Sequence, residues 1–116
     1  MITYYYRKEM EKMSVSVNII AKREVSVYDA DITYNLAKMY CKALDKNLGL
    51  KRLNDLRCKE ALPIIDNAIK DMVCNKKDYE KFNPTNGWGS YDGLLKAFRK
   101  MREVCEDNPD GIFKID

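Results

Sequence analysis

From Ser14 to Ile20 apolar and polar residues alternate, with Val15, Val17 and Ile19 set against Ser14, Ser16 and Asn18. That period of two is the signature of a strand with one buried face. Ala21-Lys22-Arg23-Glu24 turns the chain, and Val25, Val27 and Tyr28 begin a second strand, so the two predict a β-hairpin. Asp29-Ala30-Asp31 reads as its end, with Asp31 as the N-cap of a helix from Ile32. Ile32, Leu36, Met39, Tyr40, Ala43 and Leu44 form the apolar face of that helix, which ends near Asn47 to Gly49. Leu50 to Leu56 is a basic connection with a helical turn.

A second helix is predicted from about Cys58 to Cys74, with Ile64, Ile65, Ala68, Ile69, Met72 and Val73 inward. Pro63 is expected in its first turn, where a missing N–H costs little. One further turn covers Asp78 to Phe82 before Asn83-Pro84-Thr85-Asn86-Gly87 breaks the pattern. Ser90 is then the N-cap of the clearest amphipathic stretch, in which Tyr91, Leu94, Leu95, Phe98, Met101 and Cys105 recur at spacings of three and four. After the turn Asn108-Pro109-Asp110-Gly111, Ile112, Phe113 and Ile115 predict a last strand, paired with the hairpin and bringing the termini together. The fold class expected is α+β: a small antiparallel sheet, the N-terminal hairpin plus the C-terminal strand, packed against about three helices.

Residues 1–12 stand apart as a Tyr-rich arm, and 13–116 form the single domain. Ile2, Tyr4 and Tyr6 alternate like a short edge strand, while Arg7 to Lys12 is strongly charged. Met13 offers a second start, which would make the first twelve residues an upstream extension. Tyr4, Tyr5 and Tyr6 are candidates for a binding face, because tyrosine is enriched in contact patches.

Composition narrows the chemistry. The 116 residues are 46% hydrophobic and 34% charged, enough for one modest core, and no apolar run reaches the length of roughly 18 residues that a membrane span needs. Neither signal peptide nor transmembrane segment is read, so a cytoplasmic protein is expected. The net charge of +3 comes from 21 basic and 18 acidic residues interspersed along the chain, which argues against direct nucleic-acid binding. The chain has no histidine, which removes the usual base of serine and cysteine triads and any mixed Cys/His metal site. Cys41, Cys58, Cys74 and Cys105 form no close pair; they read as buried structural thiols in a reducing compartment. No cofactor is expected.

Trp88, the single tryptophan, lies between Gly87 and Gly89. Glycine on either side permits positive φ, so the indole can be swung into place. Its size favours packing into the sheet–helix junction; the alternative is a semi-exposed indole that stacks on a base or enters a partner's pocket. Ser90, besides capping, stands at a helix N-terminus, where N–H groups favour an anion. Asp29, Asp31 and Asn35 cluster at the strand-to-helix junction, with Asp31 and Asn35 at i,i+4; capping and turn-making account for the aspartates, with a divalent cation as the sharper alternative. Tyr34 and Tyr40 read as core rim.

Two stretches carry a resemblance. Asp31-Ile32-Thr33-Tyr34-Asn35-Leu36 and Asn86-Gly87-Trp88-Gly89-Ser90-Tyr91 resemble motifs of small, largely uncharacterised bacteriophage and prophage proteins, which have an Asn-Ile-Thr-His-Asn-Leu helix start and an Asn-Gly-Trp-Gly loop before the last helix. The resemblance covers about residues 14 to 116. Asp31 and Tyr34 stand where that group has Asn and His, and Ala43-Leu44-Asp45 replaces its Ala-Leu-Trp. It implies a non-enzymatic phage or mobile-element accessory protein that binds and inhibits a host factor, such as a CRISPR defence complex. The alternative is a binder that sequesters a nucleotide signal, with Trp88 on the base and the Ser90 helix end on phosphate. An enzyme built on Asp29, Asp31, Asn35 and a metal is the weakest reading. Trp88, Ser90, Tyr91, Tyr4, Tyr5, Tyr6, Asp31 and Asn35 are the candidate binding residues, toward a host protein or complex.

Overall fold

The computed structural model describes residues 14–21 and 25–116. The alternation at the start of this range forms β1 (Ser14–Ile20), which pairs antiparallel with β2 (Ser26–Thr33) on one side and β3 (Ile112–Ile115) on the other. The sheet order β2-β1-β3 puts the most regularly alternating strand in the centre, where both faces of its pattern are decided. Val15, Val17 and Ile19 point into the core and are opposed by Ile32, Ala30 and Tyr28 on β2. Ile115 and Phe113 oppose Val17 and Ile19 from β3. The polar residues Ser16, Asn18, Asp29 and Asp31 line the other face. The α+β expectation and the pairing of the last strand with the hairpin both hold, and Asp116 donates to the Ser16 carbonyl at 3.0 Å, closing the C-terminus onto β1.

The hairpin does not stop at Asp29-Ala30-Asp31. β2 runs on to Thr33, and Asp31 sits in the ladder opposite Ser16 rather than capping a helix. Burying Ile32 opposite Val15 extends both the ladder and the core by one more pair, which outweighs a local capping preference. Thr33 takes over the cap: its Oγ1 accepts the Asn35 backbone N–H at 3.3 Å. A 3₁₀ turn, Tyr34–Leu36, then leads into a short helix, α1 (Ala37–Ala43), with Met39 and Tyr40 fully buried.

A second 3₁₀ turn, Gly49–Leu53, precedes α2 (Cys58–Cys74), followed by the short α3 (Lys76–Glu80) and by α4 (Tyr91–Asp107). The two long helices pack against each other and the sheet through Ala61, Ile65, Ala68 and Met72 on α2 and Leu94, Phe98, Met101 and Cys105 on α4. Three expectations for α2 are corrected. Pro63 is its sixth residue, past the turn where a missing N–H is free, so the Lys59 carbonyl has no i+4 donor there. Val73, expected inward, is 49% exposed, and Cys74 is exposed while the other three thiols are buried. Both lie in the last turn of α2, in which Met72 alone is buried.

Asn54 to Cys58 covers the outer edge of β3: Asp55 N–H donates to the Phe113 carbonyl and Phe113 N–H to the Leu56 carbonyl, each at 2.9 Å. Among the described residues β2 is therefore the sheet's one uncovered edge, and its end meets the loop that precedes α4. No helix among the described residues is long and apolar enough to cross a membrane.

Candidate functional site

The loop 83–90 is held at both ends by side chains that serve its own backbone. Asn83 Oδ1 accepts the Tyr91 N–H at 2.7 Å, and Ser90 Oγ accepts the Gly93 N–H at 3.0 Å, so Ser90 is the N-cap of α4 as expected. Asn86 Oδ1 accepts the Trp88 N–H at 2.9 Å, an Asx turn that fixes the backbone under the indole. Gly87 and Gly89 take φ of +80° and +96°. At Gly89 space matters as well, since a Cβ there would lie 2.8 Å from Thr33 Cγ2 and 3.0 Å from Leu36 Cγ. The loop is thus pressed onto the end of β2 and the start of the following turn, and Asn86 Nδ2 reaches Asn35 Oδ1 at 3.4 Å across that seam.

With its backbone pinned, the loop turns Trp88 outward. The indole is 69% exposed, against the expectation that it plugs the sheet–helix junction. Ile32, Leu36, Leu94 and Leu95 bury one another at that junction without the indole. Trp88 instead walls a cavity of about 540 Å³, shared with Ser14, Asp31, Thr33, Asn35 and Asn86. An adjoining depression of about 320 Å³ has Ile32, Leu36, Leu94 and Ala97 among its lining, with Trp88 again on the rim. A hollow that carries polar side chains beside the indole, called the polar hollow below, and an aliphatic one therefore meet at one exposed tryptophan.

Asp31, Asn35 and Trp88 converge here although the sequence separates the first two from the third by more than fifty positions. Asp31 and Asn35 do not share a helix; one lies two residues before the end of β2 and the other in the 3₁₀ turn, yet both line the same hollow. Ser90 borders the apolar depression and does not line the polar hollow. Tyr91 faces inward, its O–H donating to the Met72 carbonyl at 2.7 Å, so it ties α4 to the end of α2 and presents nothing to a partner. Desolvation raises its pKa above the usual phenol value. Tyr4, Tyr5 and Tyr6 lie outside the described residues.

Thr33 and Asn86 belong to the two motifs but not to the candidate binding residues, and the structure adds both to the site. Asn86 had a readable signal, an Asn two positions before Trp88 with glycine between, the spacing of an Asx turn; Thr33 had none, because its role depends on where β2 ends.

Electrostatically, Asp31 is the one ionisable side chain lining the polar hollow among the described residues. The N-terminus of α4 is a poor seat for phosphate. Of its first three N–H groups, those of Tyr91 and Gly93 are taken by Asn83 and Ser90, and the Asp92 carboxylate adds negative charge to the first turn. No protein-family model, curated protein or solved structure matches this chain.

Proposed function

We propose that this chain is a non-enzymatic binding protein that engages a partner protein through the face centred on Trp88. Following the resemblance of its two motifs to phage and prophage proteins, that partner is a host factor which it inhibits. The observation that carries the reading is the exposed indole on a pinned loop. A tryptophan buries up to about 250 Å² on full desolvation, so covering the exposed 69% would remove about 170 Å² from water. At about 25 cal/mol/Å² that supplies roughly 4 kcal/mol, the scale of a single interface hot spot. Because the Asx turn and the two caps already order the backbone, little of that gain is lost to loop ordering on binding. The nucleotide alternative has less support, since the helix end that would meet phosphate has most of its donors occupied and a carboxylate beside it.

The test is affinity capture from host lysate with wild type and Trp88→Ala, followed by measured affinity for the recovered protein. An exposed side chain can be removed with a stability change within about 0.5 kcal/mol, so the variant should melt as wild type does. Its affinity should fall by about thirtyfold or more. Wild-type affinity in a folded Trp88→Ala variant would refute the proposal.

A further inference from the structure

We infer that the polar hollow beside Trp88 receives a cationic side chain, an arginine of the partner protein, with its guanidinium against the indole and paired to the Asp31 carboxylate. This deepens the binding reading above and rests on it.

The lining is one-sided in its chemistry. Among the described residues it comprises an indole, a carboxylate, two side-chain amides and two hydroxyls, with no cationic side chain. The hydrogen bonds already made leave acceptors in the lining with spare capacity. Asn86 Oδ1 takes only the Trp88 N–H, and Asn35 Oδ1 takes only a long contact of 3.4 Å from Asn86 Nδ2, so each carbonyl keeps accepting capacity. The donor side of Asn35 is in use, its Nδ2 bonding Thr33 Oγ1 at 3.1 Å. Asp31 makes no ion pair or side-chain hydrogen bond among the described residues, so its charge is not neutralised beforehand. Asp29, two positions earlier on the same polar sheet face, adds to the negative field.

A hollow rich in acceptors, with one free carboxylate and an aromatic wall, suits a cation and repels an anion. Tryptophan is the best cation–π ring, and a cation over its face is held most strongly where water is partly excluded. Arginine is favoured over lysine because its flat guanidinium can lie on the indole while its fork of N–H groups meets carboxylate and amide oxygens together. The volume of about 540 Å³ is ample for one extended side chain and falls within the usual range of ligand pockets.

Trp88 is the chain's only tryptophan, so its fluorescence reports this site alone. The full chain is titrated at low ionic strength with end-blocked hexa-arginine, hexa-lysine and hexa-glutamate peptides, using wild type, Asp31→Asn and an Asp107→Asn control at the far end of α4. A saturable change in emission is expected with hexa-arginine, weaker binding of hexa-lysine and no response to hexa-glutamate. Asp31→Asn should weaken arginine binding by about tenfold, Asp107→Asn should leave it unchanged, and added salt should weaken the wild type more than Asp31→Asn. No saturable response to hexa-arginine, an equal response to hexa-glutamate, or unchanged affinity in Asp31→Asn would overturn the inference. If it falls while Trp88→Ala still abolishes partner binding, the binding reading stands and only the cation specificity is removed.

Discussion

Gly87 and Gly89 flank the same indole with positive φ, yet alanine should harm them unequally. At Gly87, φ is +80° and nothing lies within 4 Å of an added Cβ, so the substitution meets only the conformational penalty. For an L-residue in that region this is about 1 kcal/mol or slightly more. At Gly89, φ is +96° and the new methyl would sit 2.8 Å from Thr33 Cγ2 and 3.0 Å from Leu36 Cγ. Neither neighbour can yield easily. Thr33 is β-branched with its hydroxyl engaged by Asn35, and Leu36 is only 5% exposed. Overpacking of this kind adds about 1–3 kcal/mol, so Gly89→Ala should cost about 2–4 kcal/mol in all. With roughly 4 °C of Tm per kcal/mol for a chain of this size, Gly87→Ala should melt about 4–6 °C below wild type and Gly89→Ala about 8–16 °C below. Urea unfolding followed by circular dichroism, with thermal melts beside it, measures both. Equal losses in the two variants would refute the close seating of this loop on the end of β2, and with it the placement of Trp88 beside Asp31.

Tyr91→Phe removes the one described donor to the Met72 carbonyl, which lies beyond in-helix donors at the end of α2; the loss should be about 1–2 kcal/mol in urea unfolding. Stability should also decline on the alkaline side. Burial raises the Cys58 and Cys105 thiols and the Tyr28, Tyr79 and Tyr91 phenols, with the Asp71 carboxylate pushing Tyr79 further up through its hydrogen bond and charge. The folded state holds these protons more tightly than the unfolded one. Their contribution is therefore intact below the ordinary values, 9.0 for the thiols and 10.0 for the phenols, and is lost as pH climbs toward the raised folded values. Urea midpoints should be level up to about pH 8.5 and fall beyond about pH 9, less steeply above about pH 10 in Tyr79→Phe; a midpoint constant to about pH 11 would contradict this account.

The seam between β2 and the Trp88 loop explains why the site could be named in parts but not assembled. Asp31 followed by Ile32 carries a fair local signal for a capped helix, and Ile32, Leu36, Met39 and Tyr40 fit one helical face. The competing arrangement, one more ladder pair opposite Val15, depends on a strand sixteen positions away and on Ile32 finding a place in the core. A local reading weighs only the first. Once the strand continues, Asp31 points to the open face of the sheet instead of into a helix end, and Asn35 comes round beside it in a 3₁₀ turn. The same dependence governs Trp88. Size alone argues for burial, but Ile32, Leu36, Leu94 and Leu95 are buried at the junction without the ring, which stands exposed on a loop whose two glycines take positive φ.

What the sequence determined by itself are the elements whose physics is local. The period of two in β1, the period of 3.6 in α4 with its Ser90 cap, and the turn at Asn108 to Gly111 follow from side-chain direction and backbone preference within a few residues. Together they were sufficient for an α+β fold with one face of a three-stranded sheet covered. Tertiary structure alone decided where β2 ends, that Val73, Cys74 and Trp88 face outward, and that Asp31, Asn35 and Trp88 share one hollow. Each of these is settled by which surface is still unoccupied after the core has packed, a property of the whole chain that no window of neighbouring residues contains.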